Sequence, residues 1–272
     1  MSQTLLTDRP ALLRHRARAA RAPALFLHDL AAGEIEDRLA MVNKSFTAPA
    51  VVCGWPDPWR ARLPGAAVVA DDEVLALAPG KHDLVIHALC LHWANDPVGQ
   101  LVQARRALRP DGLLLAVLFG GGSLQELRSA LAQAETEVAG GLSPRVLPMG
   151  EIRDLGALLQ RAGLALPVAD RLPLDLRYAD PLALMRDLRA MGETNAMAAR
   201  PRGLLRRRVL ARACEIYAGN FAHPQGGIRA SAEMIFLTGW APDPSQPQPL
   251  RPGSAAARLA DALGTRETRL ED

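Results

Sequence analysis

The chain has 272 residues, 49% of them hydrophobic and 22% charged, and a formal net charge of +3. That length suits one large α/β domain, or a core domain with an attached lobe. No apolar run approaches the roughly 18–20 residues that span a bilayer, and none resembles the apolar core of a secretory signal.

Of the 32 basic residues all but Lys44 and Lys81 are arginine, a bias that favours bidentate carboxylate contacts but equally reflects genome composition. Acidic residues are interspersed among them and aromatics make up only 4%. Nucleic acid is therefore not an expected partner, because stacking platforms are scarce. Cys53, Cys90 and Cys214 have no paired spacing, which fits a reducing compartment and no disulfide framework. The expectation is a soluble cytoplasmic protein without a transmembrane segment, any membrane contact being peripheral, at the inner membrane.

In chain order, DRPALLRHRARAARAP (8–23) is basic and helix-prone, with Asp8 as cap and Pro10 in the first turn. A second helix covers HDLAAGEIEDRLAMV (28–42), where Glu34 and Arg38 form an i,i+4 pair. From Ala50 strands and helices alternate. AVVC (50–53), AAVV (66–69), DLVIHAL (83–89) and LLLAVLF (113–119) read as strands, with Asp96-Pro97 capping a helix to about Leu108 and RPDG (109–112) as a turn. Runs apolar on both faces and separated by helices indicate a parallel sheet covered on both sides. Helices follow at 123–139, at 151–163 with Gly163 as stop, and at 179–192 with Asp180 as cap and Gly192 as stop. Arg206, Arg207 and Arg208 lie in a helical pattern and read as a solvated face. SAEMIFLTGW (231–240) is the last strong strand, and APDPSQPQPLRPG (241–253) reads as linker. The expected organisation is a helical segment over 1–45, an α/β domain over 46–240 with a helical insertion at about 175–225, and a Pro-rich linker and flexible tail over 241–272.

The strand ending at CLHWAND (90–96) places His92, Trp93 and Asn95 where open α/β sheets bind ligands, beyond the C-terminal strand ends. A His-Trp pair there can supply a proton shuttle and a stacking wall, or simply fill a strand end. His87 is expected to point away from Cys90 and His92 because strand side chains alternate faces, and with no fourth ligand at metal spacing no metal site is expected. FGGGSLQELR (119–128) puts three glycines before a helix. That geometry can bind anions through free N–H groups, or let the backbone pass close to a ligand or a neighbouring loop. It lacks the ending of a triphosphate loop.

The ordered set DLVIHALCLHWANDP, LRPDGLLLAVLFGGGSLQELR, AETEVAGGLSPRV, DLGALLQRAG and DLRAMGETNA resembles the methyltransferase-like assembly factors of respiratory complex I, mitochondrial assembly factor five and its bacterial relatives, over roughly residues 7–240. The resemblance implies a class I S-adenosylmethionine-dependent methyltransferase fold, a sheet of seven strands with a reversed last hairpin, and a protein substrate or a complex I assembly intermediate as partner. Mitochondrial members are implicated in arginine hydroxylation. A more distant similarity is to the malonyl-acyl-carrier-protein methyltransferase of biotin synthesis.

The family's glycine motif falls on VVCGWPD, where only Gly54 matches. Trp55 stands where a minimal side chain is needed, and Pro56 and Pro58 lack N–H groups. Gly54 and Asp71 stand seventeen positions apart, whereas a β-α unit takes roughly 20 residues or more, so about one unit is missing. By residue identity VADDEVLAL precedes the family's fourth strand; by geometry DPWRARL is a vestigial first helix and AAVVADD the second strand. S-adenosylmethionine, if bound, would lie across Gly54, Asp71, Asp72 and the loop after residue 89, Leu91 included, with His92, Trp93 and Asn95 as acceptor-pocket candidates. Two functions follow: an S-adenosylmethionine-dependent enzyme acting on a protein by methylation or arginine hydroxylation, or a non-catalytic relative acting by binding.

Overall fold

In the computed structural model the described residues are 5–247 and 264–265. They belong to two units, Met1–Pro242 and Asp243–Asp272. Most of the second unit, and with it most of the expected tail, lies outside the described residues.

Asp8 starts α1 (Arg9–Ala19) by accepting from the Ala11 N–H, and α2 (Phe26–Met41) follows. β1 (Pro49–Cys53) leads into a short α3 (Asp57–Arg62) and a three-residue β2 (Ala67–Val69). β3 (His82–Ala88) runs into a single 3-10 turn, Leu91–Trp93, and then α4 (Pro97–Ala107), whose cap is Asp96. β4 (Leu108–Phe119), α5 (Gln125–Ala139) and α6 (Ile152–Arg161) complete the parallel half. β5 (Ala165–Tyr178), α7 (Pro181–Ala190), α8 (Arg207–Asn220) and β6 (Ile228–Trp240) form the rest.

The strand order is β2-β1-β3-β4-β6-β5, parallel from β2 to β4, with β6 antiparallel to both neighbours. This is the class I methyltransferase arrangement with its reversed last hairpin, one β-α unit short. β2 pairs with β1 on the side away from β3, directly after the vestigial helix α3. AAVV thus occupies the second-strand position, and the chain passes from β2 to β3 without a helix.

The two-sided burial expected of the parallel strands is realised residue by residue. Ala50, Val52, Val85, Leu114 and Ala116 face one layer with Leu101, Ala104 and Leu159 from α4 and α6. Their neighbours Val51, Cys53, Ile86, Leu113 and Leu115 face the other, against Leu27, Ala31 and Ile35 of α2. A third cluster joins α5, α7 and α8 around the fully buried Tyr217, whose hydroxyl donates to the Arg229 carbonyl at 2.9 Å.

Two local expectations need correction, and one strand was not anticipated. β5 has no counterpart among the strands read from the sequence, because Pro167 and Pro173 argue against a central strand; at the sheet edge a missing N–H is tolerated. RPDG does not separate helix from strand: α4 passes straight into β4, and Asp111 takes a left-handed φ of 57° within it. His87 and Cys90 do not point apart, since the Cys90 Sγ lies 3.4 Å from the His87 Nδ1. The strand stops at Ala88 and Leu89 turns to φ 47°, so alternation ends before Cys90.

Phe236, fully buried with the Arg38 guanidinium 3.6 Å from its ring centre, joins β6 to α2. Phe236→Ala is expected to cost about 3–5 kcal/mol, read as a lower urea midpoint at unchanged slope.

Candidate functional site

The C-terminal ends of β1, β2 and β3 converge on one cleft, and the chain fills it with its own side chains. On α1 the spacing of Leu12, Arg16 and Ala19 makes one buried face. That face delivers Arg16 onto the end of β1, where a methyl group at Gly54 would overlap the guanidinium. The Arg16 Nη1 donates to both carboxylate oxygens of Asp71, at 2.8 and 2.9 Å, and the two side chains are 8% and 3% exposed. Arg9, two turns earlier, adds bonds to the Asp71 carboxylate at 3.2 Å and to its carbonyl at 2.7 Å. Burial pushes the Asp71 carboxyl up, but the Arg16 charge and the bonds from Arg9 and Arg16 outweigh it and lower it from 3.8 to about 2.

Trp55 seals the cleft beside this pair. It is buried, donates from its indole to the Met191 carbonyl at 3.1 Å, and stacks edge-on against the buried His28. Burial depresses His28 to about 4. Gly192, at φ 79°, turns the end of α7 close to both Arg16 and Trp55. The next residue, Glu193, accepts from the Trp93 indole at 2.7 Å and meets the His92 Nε2 at 3.2 Å. Burial works against its charge, yet His92, Arg16 and Trp93 together hold its carboxyl below the ordinary range.

The sequence candidates therefore divide. Gly54 and Asp71 are both in contact with Arg16. Asp72 turns outward, its side chain 65% exposed and 3.6 Å from Arg9. Leu91 is buried in the core layer under α4. His92 and Trp93 converge on Glu193. Asn95 faces the N-terminal strap instead, accepting from the Thr7 N–H at 2.8 Å and donating to the Thr7 carbonyl at 3.3 Å. His87 bonds to Gln100 at 2.6 Å, which bonds on to the Asp72 carbonyl.

The FGGG loop is spent in the same way. Gly120 donates to the Glu233 carbonyl, Gly122 to its carboxylate at 2.9 Å and Gly121 to the Gly150 carbonyl. The backbone here passes close to β6 at Glu233 and to the loop at Gly150.

Arg16 and Glu193, the residues that organise the cleft, had no individual role in the sequence reading. Arg16 is one of several arginines on a basic helix, and only the helical phase relative to Leu12 marks it as inward-facing. Among the described residues no cluster of His, Cys, Asp and Glu could hold a metal ion.

A family model described as "Methyltransferase domain" matches residues 16–116. The arginine-hydroxylase NDUFAF5, mitochondrial, of Homo sapiens is 34% identical over 81% of this chain and 64% of its own length. The Danio rerio protein of that name is 37% identical over 73% of this chain and 62% of its own. The malonyl-[acyl-carrier protein] O-methyltransferase of Laribacter hongkongensis is 38% identical over 67% and 58% respectively. The chain carries a class I methyltransferase domain of the NDUFAF5 family. It spans less than two thirds of the length of those relatives.

That family's cofactor is S-adenosylmethionine, and the residues here do not fit it. The glycine that should admit the cofactor lies under Arg16, and the Asp71 carboxylate is committed to two arginines. Trp55 occupies the adjoining space.

Removing the Asp71 charge strands Arg16 in the core, so Asp71→Asn is expected to destabilise the fold by about 3–5 kcal/mol in urea denaturation. The folded value lies below the unfolded one, so the wild-type contribution is complete above about pH 4 and disappears as pH falls through about 2. Asp71→Asn should lose that segment of the acid-unfolding profile.

Proposed function

We propose that this protein works by binding rather than by methyl transfer: a methyltransferase-family scaffold whose cofactor cleft is closed from within, acting on a protein partner as an assembly factor for a respiratory complex I subunit. The observation that carries this reading is the Arg16 guanidinium packed over Gly54 and held there by Asp71. A cofactor entering the cleft would have to displace a buried ion pair, break the bonds of Trp55 and Glu193, and compensate for both. The assembly role draws on the resemblance of the sequence to that family and on its identity to proteins named arginine hydroxylases.

A second reading rests on the same identity: an enzyme that hydroxylates or methylates a protein arginine after α1 moves aside. The malonyl-acyl-carrier-protein reading has comparable identity over a smaller share of the chain and would also need an open cleft.

Isothermal titration with S-adenosylmethionine and with S-adenosylhomocysteine at millimolar concentration should give no binding heat; a one-to-one isotherm would favour the enzyme reading. In complementary capture experiments, a complex I assembly intermediate should remain bound to the Asp72→Ala protein as to the wild type. Asp72 is the appropriate position because its exposed carboxylate supports little of the fold. Failure of the folded wild-type protein to retain any complex I assembly intermediate would refute the binding reading.

A further inference from the structure

Behind the Trp93–Glu193 contact lies a cavity of about 340 Å³, walled by β5, β6, α5, α7 and the segments around residues 145–149 and 194–195. Its volume falls within the range of small-molecule sites, roughly 300–1,000 Å³. Trp93, Phe119 and a set of leucines supply most of the wall, with Met149, Met185 and Met191 among them. Methionine side chains adapt to an occupant of irregular shape, which suits a flexible chain better than a rigid ring.

The polar side chains in the lining are mostly engaged elsewhere. The Ser123 hydroxyl bonds to the Glu233 backbone, and the Tyr178 hydroxyl donates to Asp187 at 2.7 Å. Asn195 donates to the Pro144 carbonyl and accepts from the Met197 N–H. Of the three charged residues, Glu193 is held by His92 and Trp93, and Arg145 is ion-paired with Glu135. Arg189, at the end of α7, has an exposed side chain with no hydrogen bond or ion pair among the described residues. The Thr194 hydroxyl is likewise unbonded. An apolar chamber whose unspent groups are a guanidinium and a hydroxyl is complementary to a carbon chain ending in an anion.

We propose that this cavity binds a single-chain amphiphile with an anionic head, a medium-chain fatty carboxylate, whose tail lies among Met185, Leu188 and Trp93 and whose carboxylate pairs with Arg189. The lining of the chamber includes neither Arg16 nor Asp71, but it shares Trp93, Met191 and Glu193 with the contacts that close the cofactor cleft.

The test is calorimetric titration of the full chain with dodecanoate below its micelle concentration, beside dodecanol as the neutral chain and butyrate as the head without the tail. Dodecanoate should bind one-to-one at micromolar concentrations, dodecanol more weakly, and butyrate not at all. Arg189→Ala, a change at an exposed position, should weaken dodecanoate by about tenfold and leave dodecanol unchanged. Met185→Trp should fill the chamber and abolish binding of both chains, with circular dichroism reporting the fold. Leu205→Trp, at another lining position, serves the same purpose if the first variant does not fold. Absence of dodecanoate binding overturns the proposal, as does equal affinity in Arg189→Ala or undiminished binding in a folded chamber-filling variant. Uptake of an apolar peptide in place of dodecanoate would overturn it too, assigning the chamber to a protein ligand.

Discussion

A guanidinium taken out of water must meet a carboxylate of matching geometry, or the fold bears an uncompensated charge. Arg16 and Asp71 meet that condition at the one place where a methyltransferase fold ordinarily keeps open space. The pair ties the N-terminal helix to the loop after β2, although α1 shares no sheet hydrogen bonds with the domain. Arg9 and the strap residues Thr7 and Asp8 extend the tie to Asn95 and to Arg200 and Arg202. Everything that closes the cleft, from Trp55 on Met191 to Trp93 on Glu193, packs around this one contact.

Such a pair is weak evidence for net stability, because its Coulomb energy largely offsets the cost of desolvation. The Arg16 Nε is buried without a partner, as are ring nitrogens of His28 and His92. The Trp59 Nε1 and the Arg105 Nε on α4 are buried without a partner too, so such atoms occur in the layers that sandwich the sheet as well as beside the cleft.

The parallel core was legible because burial on both faces writes continuous apolar runs, as in LLLAVLF, and because Asp8, Asp96 and Asp180 cap their helices by a local rule that needs no tertiary knowledge. The missing β-α unit was legible from the spacing of Gly54 and Asp71 once the family's glycine motif was placed on VVCGWPD. β5 was not, since an edge strand may alternate in burial and carry prolines where a central one cannot. Within the site, the mismatch of Trp55 and the two prolines to a cofactor loop was readable from residue type. What fills the loop was not, because Arg16 and Asp71 stand 55 positions apart and the helical phase that sets Arg16 apart from Arg14 and Arg18 does not say what it would meet. The opposed expectation for His87 and Cys90 failed for a related reason: alternation holds only while the strand lasts.

The lost β-α unit has a further effect at the opposite margin of the sheet. It leaves β2 outermost, with only Ala67, Val68 and Val69 paired to β1. A longer β-branched strand there would present a row of free backbone groups to any passing chain. Three residues offer too short a template for edge-to-edge growth, so truncation also blunts the border most prone to aggregation.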